Sequence, residues 1–238
     1  MTVVSDAFGN VVVTGLYDSN WPALFVDKQL PVPEQGMGTF MVKLDGEMNQ
    51  VWVRGGTIRG HSWGGSRIFK GCAMPDGDLV LAGSTSTGYF EIGGKVIMDI
   101  GNIFERLNLF AIRISPEGEI GWIRTMENMM MYYEGKKGTK SDQYREFIPY
   151  DAMDWSHDVL YMTGIYESDS FEVAGKLLDK EYNMGIFVSA VDMESGDELW
   201  GYSMSSNNVN LKRFDQDVAG NVTLMGSTSD FQDFEGMG

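Results

Sequence analysis

Apolar residues along the chain come in short β-branched runs closed by turn residues, and not at the spacing of an amphipathic helix. Four segments share one order of turn, apolar run and Gly: Asp6–Gly15 (DAFGNVVVTG), Pro75–Gly83 (PDGDLVLAG), Ser156–Gly164 (SHDVLYMTG) and Val218–Gly226 (VAGNVTLMG). Three of them are followed by a run that opens on Phe: Phe40–Asp45 (FMVKLD), Phe110–Ser115 (FAIRIS) and Phe187–Asp192 (FVSAVD). Each then passes through a turn (Asp45-Gly46, Pro116-Glu117-Gly118 or Glu194-Ser195-Gly196) into a run carrying Trp52, Trp122 or Trp200. From Gly to Trp the distance is 37, 39 and 36 residues, too regular for chance, so the chain is an internal repeat.

The local chemistry predicts strands joined by hairpins. Gly9-Asn10, Asp76-Gly77 and Gly220-Asn221 are dipeptides that accept positive φ and close tight turns. Each unit reads as four strands: a leading strand such as residues 2–6, the Gly-ending strand, the Phe strand and the Trp strand. A repeated four-stranded antiparallel sheet is the blade of a β-propeller. The expected fold is therefore all-β, one β-propeller domain with an incomplete ring over residues 1–238. Blade 1 covers about 1–55, blade 2 about 68–124, blade 3 about 147–203 and a partial blade 4 about 211–238. The Gly-to-Gly periods of 68, 81 and 62 residues exceed the ~40–50 of compact blades. The excess lies partly in a recurring insert, Phe90–Lys95 (FEIGGK) and Phe171–Lys176 (FEVAGK), with Phe234-Glu235-Gly236 opening a third copy. The rest lies between units, where residues 124–147 are polar and charged and read as a loop.

The order turn, V-x-V-T-G, F-E-x-x-G-K, F-x-V-K-L-D and then W resembles the β-propeller repeat of secreted and cell-surface bacterial proteins. Ala190–Trp200 is also similar to the repeat of pyrroloquinoline-quinone enzymes and their non-catalytic propeller relatives. The first unit departs from the pattern, with Trp21-Pro22 and Pro31-Val32-Pro33 where the others carry F-E-x-x-G-K. The quinone family commonly has adjacent cysteines, and here Cys72 stands alone. The resemblance thus implies the blade and an extracellular or surface setting, while a shared fold does not carry a shared activity. Trp52, Trp122 and Trp200 are read as largely buried packing between blades and not as a cofactor cage.

The chain opens directly on a leading strand and closes within the fourth unit, which predicts a stretch of a longer polypeptide. Composition narrows the partners. The formal charge is −16, with 18 basic and 34 acidic residues, so a phosphate backbone is repelled and nucleic acid is excluded as a partner. No run approaches the ~20 apolar residues of a membrane-spanning helix. The 30 glycines in 238 residues, nearly twice the usual ~7%, fit many tight turns. The lone Cys72 excludes an internal disulfide framework and a cysteine-rich zinc site, and reads as a buried small hydrophobe.

Catalytic signatures are missing. There is no G-x-S-x-G elbow and no H-E-x-x-H. His157 falls in a hairpin turn and His61 in a Gly-rich link. Gly83–Gly88 (GSTSTG) mimics a phosphate loop but is followed by Tyr89 where Lys is needed, so it reads as a plain loop. Asp151, Asp154 and Asp158, and Glu167 with Asp169, fit no calcium loop and read as solvated turns. No catalytic residue, cofactor or metal ligand is assigned. The candidate interface is the loop residues Met129, Met130, Met131, Tyr132 and Tyr133, beside Lys136, Lys137 and Lys140, together with Trp21. Asn221, in the sole N-x-[ST] sequon, is the candidate glycosylation site. The reading that follows is a non-catalytic module with a structural, adhesive or protein-binding role, its partner being protein from the same chain or other subunits. Two alternatives stay open: a quinone-dependent or glycan-active propeller enzyme with its site elsewhere, and an intracellular scaffold.

Overall fold

The computed structural model describes residues 1–18, 24–25, 28–30, 32–33, 37–59, 66–85, 89–99, 106–130, 153–156, 158–166, 170–173, 176–179, 184–206, 209–217, 219 and 221–228. Among them all regular structure is β-strand, so the all-β class stands, and the sheets are antiparallel throughout the described pairings. The first repeat supplies β1 (Thr2–Ser5), β2 (Val11–Asp18), β3 (Leu24–Phe25), β4 (Lys28–Gln29), β5 (Met37–Leu44) and β6 (Gln50–Arg59). The second supplies β7 (Ser66–Ala73), β8 (Leu79–Thr85), β9 (Tyr89–Ile92), β10 (Lys95–Asp99), β11 (Arg106–Ile114) and β12 (Ile120–Met130). The third supplies β13 (Met153–Ser156), β14 (Val159–Tyr166), β15 (Ser170–Val173), β16 (Lys176–Asp179), β17 (Met184–Asp192) and β18 (Glu198–Ser206), and the last β19 (Val209–Gln216) and β20 (Val222–Thr228). The chain divides into two compact units, Met1–Glu127 and Asn128–Gly238.

In the first unit, β1-β2-β5-β6 and β7-β8-β11-β12 are two meanders of four strands, each strand paired to the next. The repeated Gly and Phe are cross-strand partners, Gly15 opposite Phe40 and Gly83 opposite Phe110. A Cβ on Gly15 would lie 2.6 Å from Phe40 Cε1, so the ring occupies the space that a side chain would fill. Val4, Val12, Lys43 and Trp52 form one cross-strand row, and the apolar members of that row enter a core shared with Leu79, Leu81, Phe110, Ile112 and Ile114. The insert Phe90–Lys95 is a hairpin: Gly93 and Gly94 both have positive φ, as a two-residue turn of the primed type requires. Its strand β9 pairs with β6, which puts Phe90 in the core at 5.1 Å from the Phe110 ring.

All seven residues of β8 are buried, and Leu109, Phe110, Ala111, Ile112 and Ile114 of β11 are fully covered. An antiparallel strand with one wet face alternates buried and exposed positions; these two strands do not, so both of their faces are covered. The first half of the phosphate-loop mimic belongs to this arrangement. Ser84 and Thr85 lie in β8, and Ser66 Oγ donates to Thr85 Oγ1 at 2.7 Å, so these hydroxyls are strand-bound and not in a loop.

In the second unit β13, β14, β17 and β18 form a third meander with the same register: Gly164 lies opposite Phe187 and Ala190 opposite Trp200. A register shift follows Ala190 on β17, as one follows Lys43 on β5. The insert Phe171–Lys176 is again a hairpin, β15 with β16. β19 and β20 reproduce β7 and β8, including the shift, between Leu211 and Arg213 in one pair and between Ile68 and Lys70 in the other.

Two expectations need correction. Residues 124–130 are not loop: β12 runs from Ile120 through Met130. Trp52 is 7% exposed as expected, Trp122 is half-buried, and Trp200 is 42% exposed although it stands at the same strand position. The burial of Trp52 comes from the turn that follows β11, described below; Trp200 rests on the Tyr161 ring at 5.9 Å.

The turns repeat as closely as the strands. In residues 6–10, 45–49, 74–78 and 115–119 the first N–H donates to the fifth carbonyl and the fourth N–H to the first carbonyl. The fourth residue has positive φ: Gly9, Gly77 and Gly118, but Met48 in the first repeat at +67°. The glycine that signalled this turn, Gly46, is therefore not the one in the left-handed region. Met48 is exposed, so its conformational cost of ~1–2 kcal/mol is offset by no packing. Met48→Gly is expected to raise stability by up to about 1 kcal/mol, or roughly 2–4 °C in Tm, read by calorimetry. A lowered Tm would contradict this account of the turn.

Candidate interaction site

Among the described residues of the first unit, a cluster of polar side chains joins its two meanders. It forms where the cross-strand row of β1, β2, β5 and β6 meets the turn Ser115–Glu119 between β11 and β12. Trp52 Nε1 donates to the Pro116 carbonyl at 2.9 Å, and Lys43 Nζ donates to the same oxygen at 3.1 Å. Arg54 Nε donates to the Gly118 carbonyl at 3.1 Å and its Nη2 to the Glu117 carbonyl at 2.9 Å, with Glu119 Oε1 at 3.2 Å. The Arg54 guanidinium lies 5.5 Å from the Trp52 ring centre. Gly118 is required twice. Its φ is +83°, and a Cβ there would stand 2.9 Å from two Trp52 ring atoms.

Behind Lys43 sits Asp6, and their side chains are 4% and 0% exposed at 2.9 Å. Asp6 Oδ1 accepts the N–H groups of Phe8 and Asn10, while Oδ2 accepts Asn10 Nδ2 and Lys43 Nζ. Burial by itself pushes this carboxyl up. The Asn10 side chain, Lys43 and the two backbone N–H groups outweigh it and hold the pKa at about 2. The same Asp–Asn clasp recurs at Asp45 with Asn49 and at Asp217 with Asn221. In the second repeat Arg113 stands where Lys43 does in the first, three residues after Phe, and binds Asp76 at 2.5 Å and Asp78 at 2.6 Å across the β7–β8 turn. In the third repeat that position is Ala190.

Chemically, the site presents N–H donors and cations to main-chain carbonyls. It recognises a β-turn by its backbone. Among the described residues no group of three His, Cys, Asp or Glu side chains is placed to hold a metal ion. Of the residues that form this site, Trp52 was marked in the sequence as packing and Asp6 and Pro116-Glu117-Gly118 as turn residues, whereas Lys43 and Arg54 were not singled out, although two signals for them were present: F-x-x-[KR] at Phe40–Lys43 and Phe110–Arg113, and W-x-R at Trp52–Arg54 and Trp122–Arg124.

The residues proposed from sequence do not gather at one place in the described structure. Met129 and Met130 end β12; Met131, Tyr132, Tyr133, Trp21, His61 and His157 lie outside the described residues. Asn221 is exposed, and its Nδ2, the atom that a glycan would occupy, donates to Asp217 Oδ2 at 2.7 Å. Cys72 is buried. Among the described residues no helix is long and apolar enough to cross a membrane. A scan of protein-family models finds no match to this chain, and no curated protein sequence matches it.

Asp6 gives the site a pH signature. The folded carboxyl titrates near 2 against an ordinary 3.8, so its stabilisation is complete above about pH 4 and is lost as pH falls toward 2. The difference in unfolding free energy between the wild type and Asp6→Asn is expected to narrow by about 2 kcal/mol over that window, measured by urea titration. A difference that stays constant from pH 5 to 2 would contradict the assignment.

Proposed function

We propose that this chain is part of a β-propeller that serves as a non-catalytic structural, adhesive or protein-binding module in a larger extracellular or surface assembly. The observation that carries the reading is the contact between consecutive repeats. Trp52, Lys43 and Arg54 of one meander bind the backbone of the next one's turn, a contact that successive repeats can propagate. The burial of β8 and β11 on both faces is what a sheet between two neighbours requires. Among the described residues Asp6, Lys43, Arg54 and Arg113 make side-chain contacts with turn residues. The surface setting rests on the resemblance of the repeat and on the acidic composition.

Electron microscopy of the purified chain, in whatever assembly it forms, is expected to show four-stranded sheets set radially about an axis. A flat sandwich of sheets would overturn the propeller. In parallel, incubation with pyrroloquinoline quinone and Ca2+ is expected to yield no reduction of an artificial electron acceptor by alcohols or sugars. Dye reduction that requires the quinone would overturn the non-catalytic reading.

A further inference from the structure

The turns that share one hydrogen-bonding pattern differ at their fourth residue: Gly9, Gly77 and Gly118 in three of them, and Met48 in residues 45–49, where φ is +67°. At two of the glycines space is lacking. A Cβ on Gly77 would run into the Phe8 ring, and one on Gly118 would stand 2.9 Å from Trp52 ring atoms. At Gly9 the left-handed backbone alone is the reason, since a Cβ there would meet nothing within 4 Å. The turn at 45–49 makes the same backbone demand, with Met48 N donating to the Asp45 carbonyl at 2.9 Å, and glycine would meet it with less strain. Met48 is 66% exposed, so core packing does not account for its side chain. A strained residue that packs against nothing points to a use for the side chain itself.

We propose that Met48 is a reversible oxidation site, whose thioether takes up an oxygen atom from hydrogen peroxide without cost to the fold. The Sδ lone pair attacks one peroxide oxygen, so an S–O bond forms as the O–O bond breaks. The hydroxide that leaves takes the proton of the new S–OH group and departs as water. Sulfur is oxidised by two electrons, and the peroxide is reduced by two. Access of the oxidant to the sulfur sets the rate, and it separates Met48 from Met41, Met74, Met98, Met126, Met162 and Met193, which are 0–4% exposed. The product decides the cost. A sulfoxide is polar and chiral; at Met48 it enters water, whereas at Met41 or Met98 it would enter the apolar core of the first unit. The turn alone defines the site, which holds whether or not the repeats form a propeller.

The test treats the full chain with hydrogen peroxide, quenches at intervals, and reads each methionine by proteolysis and mass spectrometry. Met48 is expected to gain one oxygen about tenfold or more faster than the buried methionines, and to lose it again on treatment with methionine sulfoxide reductases and a thiol reductant. Met48→Gly serves as the control, because it removes the sulfur at an exposed turn position and relieves the left-handed strain. At the time when Met48 is fully oxidised, wild type and Met48→Gly are expected to show the same change in Tm, measured against their own untreated samples. Oxidation of Met48 no faster than that of Met41 or Met162 would overturn the proposal, as would failure of the reductases to restore it. A fall in Tm seen in the oxidised wild type and missing in Met48→Gly would overturn it as well, since the sulfoxide would then disturb the fold.

Discussion

Lys43 is a buried ammonium with two anchors in two different repeats: the Asp6 carboxylate of its own sheet and the Pro116 carbonyl of the next. Taking an ion pair out of water costs several kcal/mol per ion and is recovered only when the remaining lone pairs and protons are satisfied. Asp6 satisfies its share locally, through Asn10 and the N–H of Phe8. Lys43 does not: part of its hydrogen bonding comes from a turn 73 residues away in sequence. The first sheet therefore carries a polar core that is complete only when the second sheet is docked. Trp52 adds apolar burial at the same point, and truncation of a buried Trp typically costs ~3–5 kcal/mol. A sheet with this face open would bear both penalties, so the first meander holds its structure together with the second and not singly.

That dependence explains how the strands are composed. A strand that has water on one side alternates, as β2 does with its buried Val12 and Thr14 between half-buried neighbours. β8 has no such freedom, and its sequence LVLAGST carries no charge at any position. The edges are handled by the inserts. β6, the last strand of its meander, is paired over Gly56–Arg59 by the β9 strand of the following repeat's hairpin. Gly56 permits that approach, since a Cβ there would come within 2.8 Å of the Glu91 carbonyl oxygen. The insert so closes an edge that would otherwise be free to pair with another chain.

The parts legible in the sequence were those with local causes. Gly and Phe recur because they stand opposite each other on adjacent strands, and Trp recurs because it stands opposite the residue three after Phe, across a short turn. The F-E-x-x-G-K insert was visible as a repeat, but its hairpin was not assigned, since its strands are only four or five residues long. Met48 shows where a local signal misleads: Gly46 marked the turn correctly and the wrong residue of it. The inter-repeat site was hidden for a different reason. Lys43, Arg54 and Pro116 look like an ordinary surface cation pair and a turn until the strands and a turn 63 to 73 residues away are brought together. Equal strand position also failed to give equal burial, because what covers Trp52 belongs to another repeat, as the exposed Trp200 makes plain.

If the turn-binding contact makes consecutive repeats one cooperative structure, native-state hydrogen exchange with and without Trp52→Ala reports it most directly. The amides of β2 and β5 in the first meander and of β8 and β11 in the second are expected to open with a common free energy, and Trp52→Ala is expected to lower both sets by the same amount. Loss of protection confined to β2 and β5, with β8 and β11 unchanged, would contradict the account.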